Sequence, residues 1–254
     1  MKWILMLVCI SLSMGNSAWA QSVPSLASAQ SFAVLGATTV TSSGPTVITG
    51  DLGTSPGTSV TGFPVGIVTG GAIQAGDATA SAAETDAHSA YAALVAQPCK
   101  TNLTGQILGT SPAAVTLSPG VYCFNASAQL TGTLTLSGNG VYIFQMVTTL
   151  TTAANSAVVL ANGAMAANVF WQVGTSSTFG ANTVFVGSVL AEISDTVTTG
   201  TSVDGLQPPA LGDGKSSTRV GITPLKPPGT LAAFPLTLQR MAQIRSEHFL
   251  VLSA

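Results

Sequence analysis

Few side chains in this sequence are equipped for chemistry. Cys99 and Cys123 remain once an N-terminal leader carrying Cys9 is set aside. In an exported chain an even pair reads as a disulfide. Two buried free thiols are the alternative, and two cysteines with no histidine pair nearby make a poor zinc set. The carboxylates between Gln21 and Gly212 are Asp51, Asp77, Glu84, Asp86, Glu192, Asp195 and Asp204, and they are dispersed. One lysine, Lys100, and no arginine accompany them. Polysaccharide lyases and hydrolases need clustered carboxylates or a cationic base in a cleft. The chain is therefore read as a non-enzyme, with no cofactor and no metal. His88 reads as a solvated residue, His248 falls in the C-terminal tail, and Trp171 reads as core. Asn102-Leu103-Thr104 and Asn125-Ala126-Ser127 are glycosylation sequons that matter only in a eukaryotic host.

What the sequence has in quantity is uncharged hydroxyl. Charged residues are 6% of the chain, against roughly 25% in an average globular protein. So few cations cannot neutralise many phosphates, which excludes nucleic acid as a partner. Lys2, the apolar run from Trp3 to Met14 and Ala18-Trp19-Ala20 form a leader with a small-x-small cleavage site over residues 1–20. The expectation is a secreted protein, extracellular or periplasmic in a Gram-negative host, starting near Gln21. No later apolar run is long enough to span a membrane. The chain is read as a monomer.

Short runs of Val, Thr, Ile and Phe between Gly, Asn and Ser-Pro turns predict strands. One segment differs. From Asp77 to about Ala96 there is no Gly or Pro, and Ala80, Ala83, Ala87, Ala90 or Tyr91, and Leu94 recur at spacings of three and four. This predicts a helix over about 77–97, with Asp77 as its cap and Ser81, Glu84 and His88 on its solvent side. A repeat is also present. Gly120-Val121-Tyr122-Cys123-Phe124 returns as Gly140-Val141-Tyr142-Ile143-Phe144, and more loosely at Asn168 to Gln172 and Thr183 to Gly187. A period of roughly 20–28 residues made of short strands and tight turns indicates stacked coils rather than a sandwich.

Longer motifs carry a resemblance. Phe32-Ala33-Val34-Leu35-Gly36, Gly44 to Gly53, Ser55-Pro56-Gly57, Gly62-Phe63-Pro64, Leu103-Thr104-Gly105, Pro119-Gly120-Val121-Tyr122, Gln129-Leu130-Thr131-Gly132 and Val169 to Gly174 resemble the microbial ice-binding (antifreeze) proteins of the DUF3494 family. The likeness spans roughly Ala27 to Gly205. It implies a mainly β fold: a discontinuous right-handed β-solenoid with one long α-helix packed alongside. It also implies a protein that adsorbs to an ice crystal surface and its ordered water, inhibiting ice growth and recrystallisation. The alternative is a cell-surface or adhesion solenoid without ice activity, since fold alone does not prove function. The ice-binding domain is taken as 21–205. Residues 206–254 depart from the family pattern and hold five of the mature chain's six cations. They read as a shifted frame or an unrelated extension, poorly ordered or improvised, leaving the last coils incompletely paired.

The resemblance also implies a site. Family members carry a Thr-Ala/Gly-x-Thr/Asn motif on the binding face. Thr152-Ala153-Ala154-Asn155 matches it fully, and Thr199-Gly200-Thr201-Ser202 matches with Ser in the last place. Phe179-Gly180-Ala181-Asn182 lacks the first Thr, and Thr131-Gly132-Thr133 keeps the first half. The candidate contacts are thus Thr131, Thr133, Thr152, Ala154, Asn155, Ala181, Asn182, Thr199 and Thr201. The same residues also suit solenoid corners, where small residues and Asn are favoured. The sequence leaves open which side of the solenoid faces ice.

Overall fold

A computed structural model describes residues 23–42, 47–63, 66–198, 200–204, 220–222 and 251–253. The leader and most of the 206–254 tail fall outside the described residues.

The β-rich repeat folds as stacked three-sided coils. Strands from successive coils pair along the stack and form three faces. The first is a nine-stranded sheet in the order 73–75, 51–54, 32–36, 220–222, 188–191, 169–173, 142–146, 120–124 and 101–102. The second is eight-stranded: 59–61, 39–41, 251–253, 194–197, 176–179, 150–152, 128–130 and 107–108. The third is five-stranded, 116–117, 133–137, 157–161, 184–186 and 202–204, with 47–49 and 67–69 as a separate pair. All pairing is parallel except that of 251–253, which is antiparallel to both neighbours. The stack is discontinuous. The first coils of the chain sit beyond the last ones, and strands 220–222 and 251–253 lie between the two groups.

Inward side chains alternate with outward ones, and the inward ones fill a single core. Tyr122, Phe144 and Trp171 stack along the solenoid axis at centroid separations of 5.4 and 3.9 Å. Phe185 continues the column 4.7 Å from Trp171. The Trp171 indole N–H donates to the Val186 carbonyl at 2.9 Å. Trp171 is core, as expected.

The pairing corrects the repeat. Gly120 lies opposite Tyr142 and Tyr122 opposite Phe144, two residues from the sequence alignment. Val169 lies opposite Tyr142, which is one residue out. Phe170 consequently faces the opposite way from Tyr142. The copy at Thr183 to Gly187 belongs to another face: Val184–Val186 pairs in the five-stranded sheet, and Ser188–Ala191 continues the nine-stranded one. The two-residue shift keeps side-chain parity and brings Tyr122 against Phe144, whereas the one-residue shift changes parity and brings Trp171 inward against Phe144.

The helix runs Ala78–Val95, and the Asp77 carboxylate accepts from the Ala80 N–H at 2.8 Å. Ala80, Ala83, Ala87, Ala90 and Leu94 turn onto the nine-stranded sheet, against Phe32, Leu35, Ile143, Phe170 and Leu190. These small residues let the helix lie close to the sheet. Glu84 is the exception to the expected pattern. It is buried with the alanines, four residues after Ala80 and three before Ala87, where the helical period puts it on the same stripe. The far end is held by side chains. Gln145 donates its amide to the Leu94 and Gln97 carbonyls at 2.6 and 2.9 Å. Gln172 donates to the Tyr91 hydroxyl at 2.8 Å, which donates to Glu192 at 3.3 Å. The Cys99–Cys123 disulfide joins the chain just beyond the helix to the sheet.

Candidate functional site

Because the helix covers the nine-stranded face, a broad flat surface is available on the other two. On the eight-stranded face the outward positions form rows of two, one residue on either side of an inward one. They are Thr149 and Thr151, Ser176 and Thr178, Ser194 and Thr196, then Thr39 and Thr41, and Ser59 and Thr61. Every outward residue in these rows is Ser or Thr, and all are exposed or half-buried. The rows are aligned: Thr151 lies opposite Thr178, and Thr178 opposite Thr196. Thr39 and Thr41 lie opposite Ser59 and Thr61. Strand 251–253 runs between the third and fourth rows, with Val251 opposite Thr41 and Ser253 opposite Thr39. The hydroxyls meet across strands, Thr61 donating to Thr41 at 3.1 Å and Ser194 to Ser176 at 3.0 Å.

Strand pairing spaces the rows by ~4.7–4.9 Å, and two residues along a strand span roughly 6.6–6.8 Å. Each threonine presents a hydroxyl that can anchor water beside a methyl that water must cage. Its β-branched side chain is stiff at χ1, so little order is lost on contact. The five-stranded face is less uniform. Its outward columns run Thr133, Ala157, Val184, Ser202 and Thr116, Thr135, Val159, and its last strand ends at Asp204. Val184 and Val159 stand 50% and 44% exposed there, breaking the hydroxyl pattern.

The sequence-derived residues lie together, but along the corner between these two faces. Asn155 and Asn182 adopt left-handed backbone at φ 59° and 57°. Gly132 and Gly200 take the same conformation in their coils, at 75° and 74°. Asn is the non-glycine residue best suited to that conformation. Asn155 and Asn182 are exposed, and the Asn182 amide donates to the Asn155 side-chain oxygen at 3.4 Å. Ala154 is exposed, and Thr131 and Ala181 are half-buried. Thr133 is exposed at the start of a strand of the five-stranded face.

Two expected contacts turn inward. Thr152 is 3% exposed; its hydroxyl shares a 2.9 Å hydrogen bond with the Thr183 hydroxyl and accepts from the Gly180 N–H at 2.9 Å. Thr201 is 5% exposed and donates to the Gly180 carbonyl at 2.8 Å. Both stitch one coil to the next and cannot reach a surface ligand. Thr199 lies outside the described residues. The residues that sequence reasoning missed, Thr151, Thr178 and Thr196, each fall between two buried neighbours. The sequence signal was partial: Leu150 and Phe179 mark one inward neighbour each, but the other neighbours, Thr152 and Ser177, are polar and hide the alternation.

Behind the array sits a buried acid. Asp195 is fully buried, and the Ser177 hydroxyl donates to it. Burial pushes its carboxyl up to about 7, the serine hydrogen bond opposing the shift. Among the described residues no three His, Cys, Asp or Glu side chains gather to hold a metal ion. No described helix is long and apolar enough to cross a membrane.

These features define a helix-backed solenoid of parallel coils that carries an uncharged lattice of hydroxyls on one face. Residues 34–207 match the family described as Ice-binding-like, and the chain belongs to that family. An ice-binding protein of Nostoc sp. (strain HG1) is 47% identical over 208 residues, covering 80% of this chain and 75% of the relative. One from Flammulina populicola is 33% identical over 202 residues, covering 71% and 80%. The solved structure of an ice-binding protein from Antarctomyces psychrotrophicus superposes with a TM-score of 0.69 at 32% identity, covering 85% of this chain and 95% of that one. Another, from an Antarctic biological consortium, gives 0.71 at 34% identity, covering 86% and 89%.

Proposed function

We propose that this chain is exported and, as a monomer, adsorbs to ice through its eight-stranded face, slowing ice growth and recrystallisation. The observation that carries this is the set of paired outward Ser and Thr residues on five strands, without an exception among them. Adsorption needs no nucleophile or metal. It needs a rigid lattice that holds a water layer in an ordered arrangement the crystal can accept. The hydroxyls anchor that layer, the methyls order it, and charges that would disrupt it are absent from the rows. The corner residues Ala154, Asn155, Ala181 and Asn182 border the lattice and keep its edge low. Thr131 and Thr133 extend the border towards the third face.

Thermal hysteresis and recrystallisation assays on the purified mature chain test the reading directly. Thr151→Tyr would stand a ring above the plane and lower activity by about tenfold, equivalent to ~1.4 kcal/mol of adsorption. Full activity in that variant, with folding intact, would remove this face from the account.

A further inference from the structure

The hydroxyl lattice stops before the sheet does. Beyond Thr151 the backbone continues through strands 128–130 and 107–108, parallel and in the same alignment. Gln129 lies opposite Thr151, in the column that Thr151, Thr178, Thr196, Thr41 and Thr61 fill in the five hydroxyl rows, with Val251 on the strand between the third and fourth, and Ile107 lies opposite Gln129. Both are exposed. The inward residues around them, Ala128, Leu130 and Leu108, are as buried as those of the hydroxyl rows. The frame of the lattice is therefore intact here. Of the outward pair around Ala128, Ser127 is an exposed serine like those above it, so only Gln129 departs.

We propose that Gln129 ends the ice-adsorbing array, and that the coils carrying residues 107–130 support the face without belonging to it. The inference rests on the functional reading above. A glutamine reaches farther than a threonine, has more rotatable bonds, and offers no methyl fixed beside a hydroxyl. Its amide donates to the Thr131 hydroxyl at 3.2 Å, so it also occupies the hydroxyl nearest to it at the corner. Ile107 is stiff and β-branched but has no polar atom to anchor water. Ice meeting the face flush along the hydroxyl rows would lose contact with the threonine column at Gln129 and find no anchor at Ile107 below it, Ser127 alone continuing the other column.

The test is to extend the array. Gln129→Thr lengthens the threonine column from five members to six, and Ile107→Thr with Gln129→Thr lengthens it to seven. With activity scaling as adsorbing area, thermal hysteresis at equal concentration rises about 1.2-fold and about 1.4-fold. Gln129→Leu, similar in volume but without a hydroxyl, gives no rise. Gln129→Ser serves as a second variant should the threonine perturb folding, which the unfolding midpoint reports. Unchanged or lower hysteresis in variants with the wild-type midpoint would overturn the proposal, as would an equal rise with leucine. Thr178→Tyr separates the two claims. If that variant is inactive while Gln129→Thr changes nothing, only the boundary falls; if it keeps full activity, the face itself falls.

Discussion

Thr151 and Thr152 are neighbours with opposite roles. The two-residue period of a strand sends the first outward to the lattice and the second inward to Thr183 and the Gly180 N–H. Thr152→Val, nearly isosteric, removes those hydrogen bonds without touching the surface. It should cost about 1 kcal/mol of stability in denaturant unfolding and leave ice activity per folded molecule unchanged. The family motif made the corner legible in the sequence, because Thr, Ala and Asn recur there at fixed offsets. It did not reveal that the corner is built by its first Thr and by a left-handed Asn. Those are backbone demands, and composition does not distinguish them from surface contacts.

Among the elements, the helix was the most legible, since alanines at three- and four-residue spacing leave little alternative. Glu84 escaped because a carboxylate on a helix is ordinarily solvated. Here neither carboxylate oxygen has a hydrogen-bond partner among the described residues, and burial raises its pKa to about 8. The folded chain therefore keeps a proton that the unfolded chain loses at ordinary carboxylate pH. Stability falls as pH rises from the usual carboxylate range towards about 8 and levels beyond it. Asp195 adds to the fall up to about 7. Glu84→Gln should flatten part of this slope and melt higher than the wild type at about pH 8, with little difference at about pH 4. Melting curves across that range check it; identical slopes would place the charge elsewhere. The strand register was less legible than the helix. Aromatic residues recur in the sequence at one offset and stack in the structure at another, and pairing is set by the core they fill.

At the scale of the molecule, the coils, the helix and the two tail strands divide the work. The helix seals one face. Strands 220–222 and 251–253 lie where the first and last coils of the chain meet. Two faces stay open, and their chemistry differs. One is a lattice of serine and threonine, and the other mixes threonine with exposed valine and ends at Asp204. The central claim is that ice recognises the first and meets the second only at its border with the first, where Thr133 lies. The most direct measurement compares Thr178→Tyr with Val159→Tyr, the same ring placed on each face, by thermal hysteresis at matched folded concentration. The account predicts that Thr178→Tyr loses about tenfold or more while Val159→Tyr keeps wild-type activity. Loss with Val159→Tyr and retention with Thr178→Tyr would contradict it.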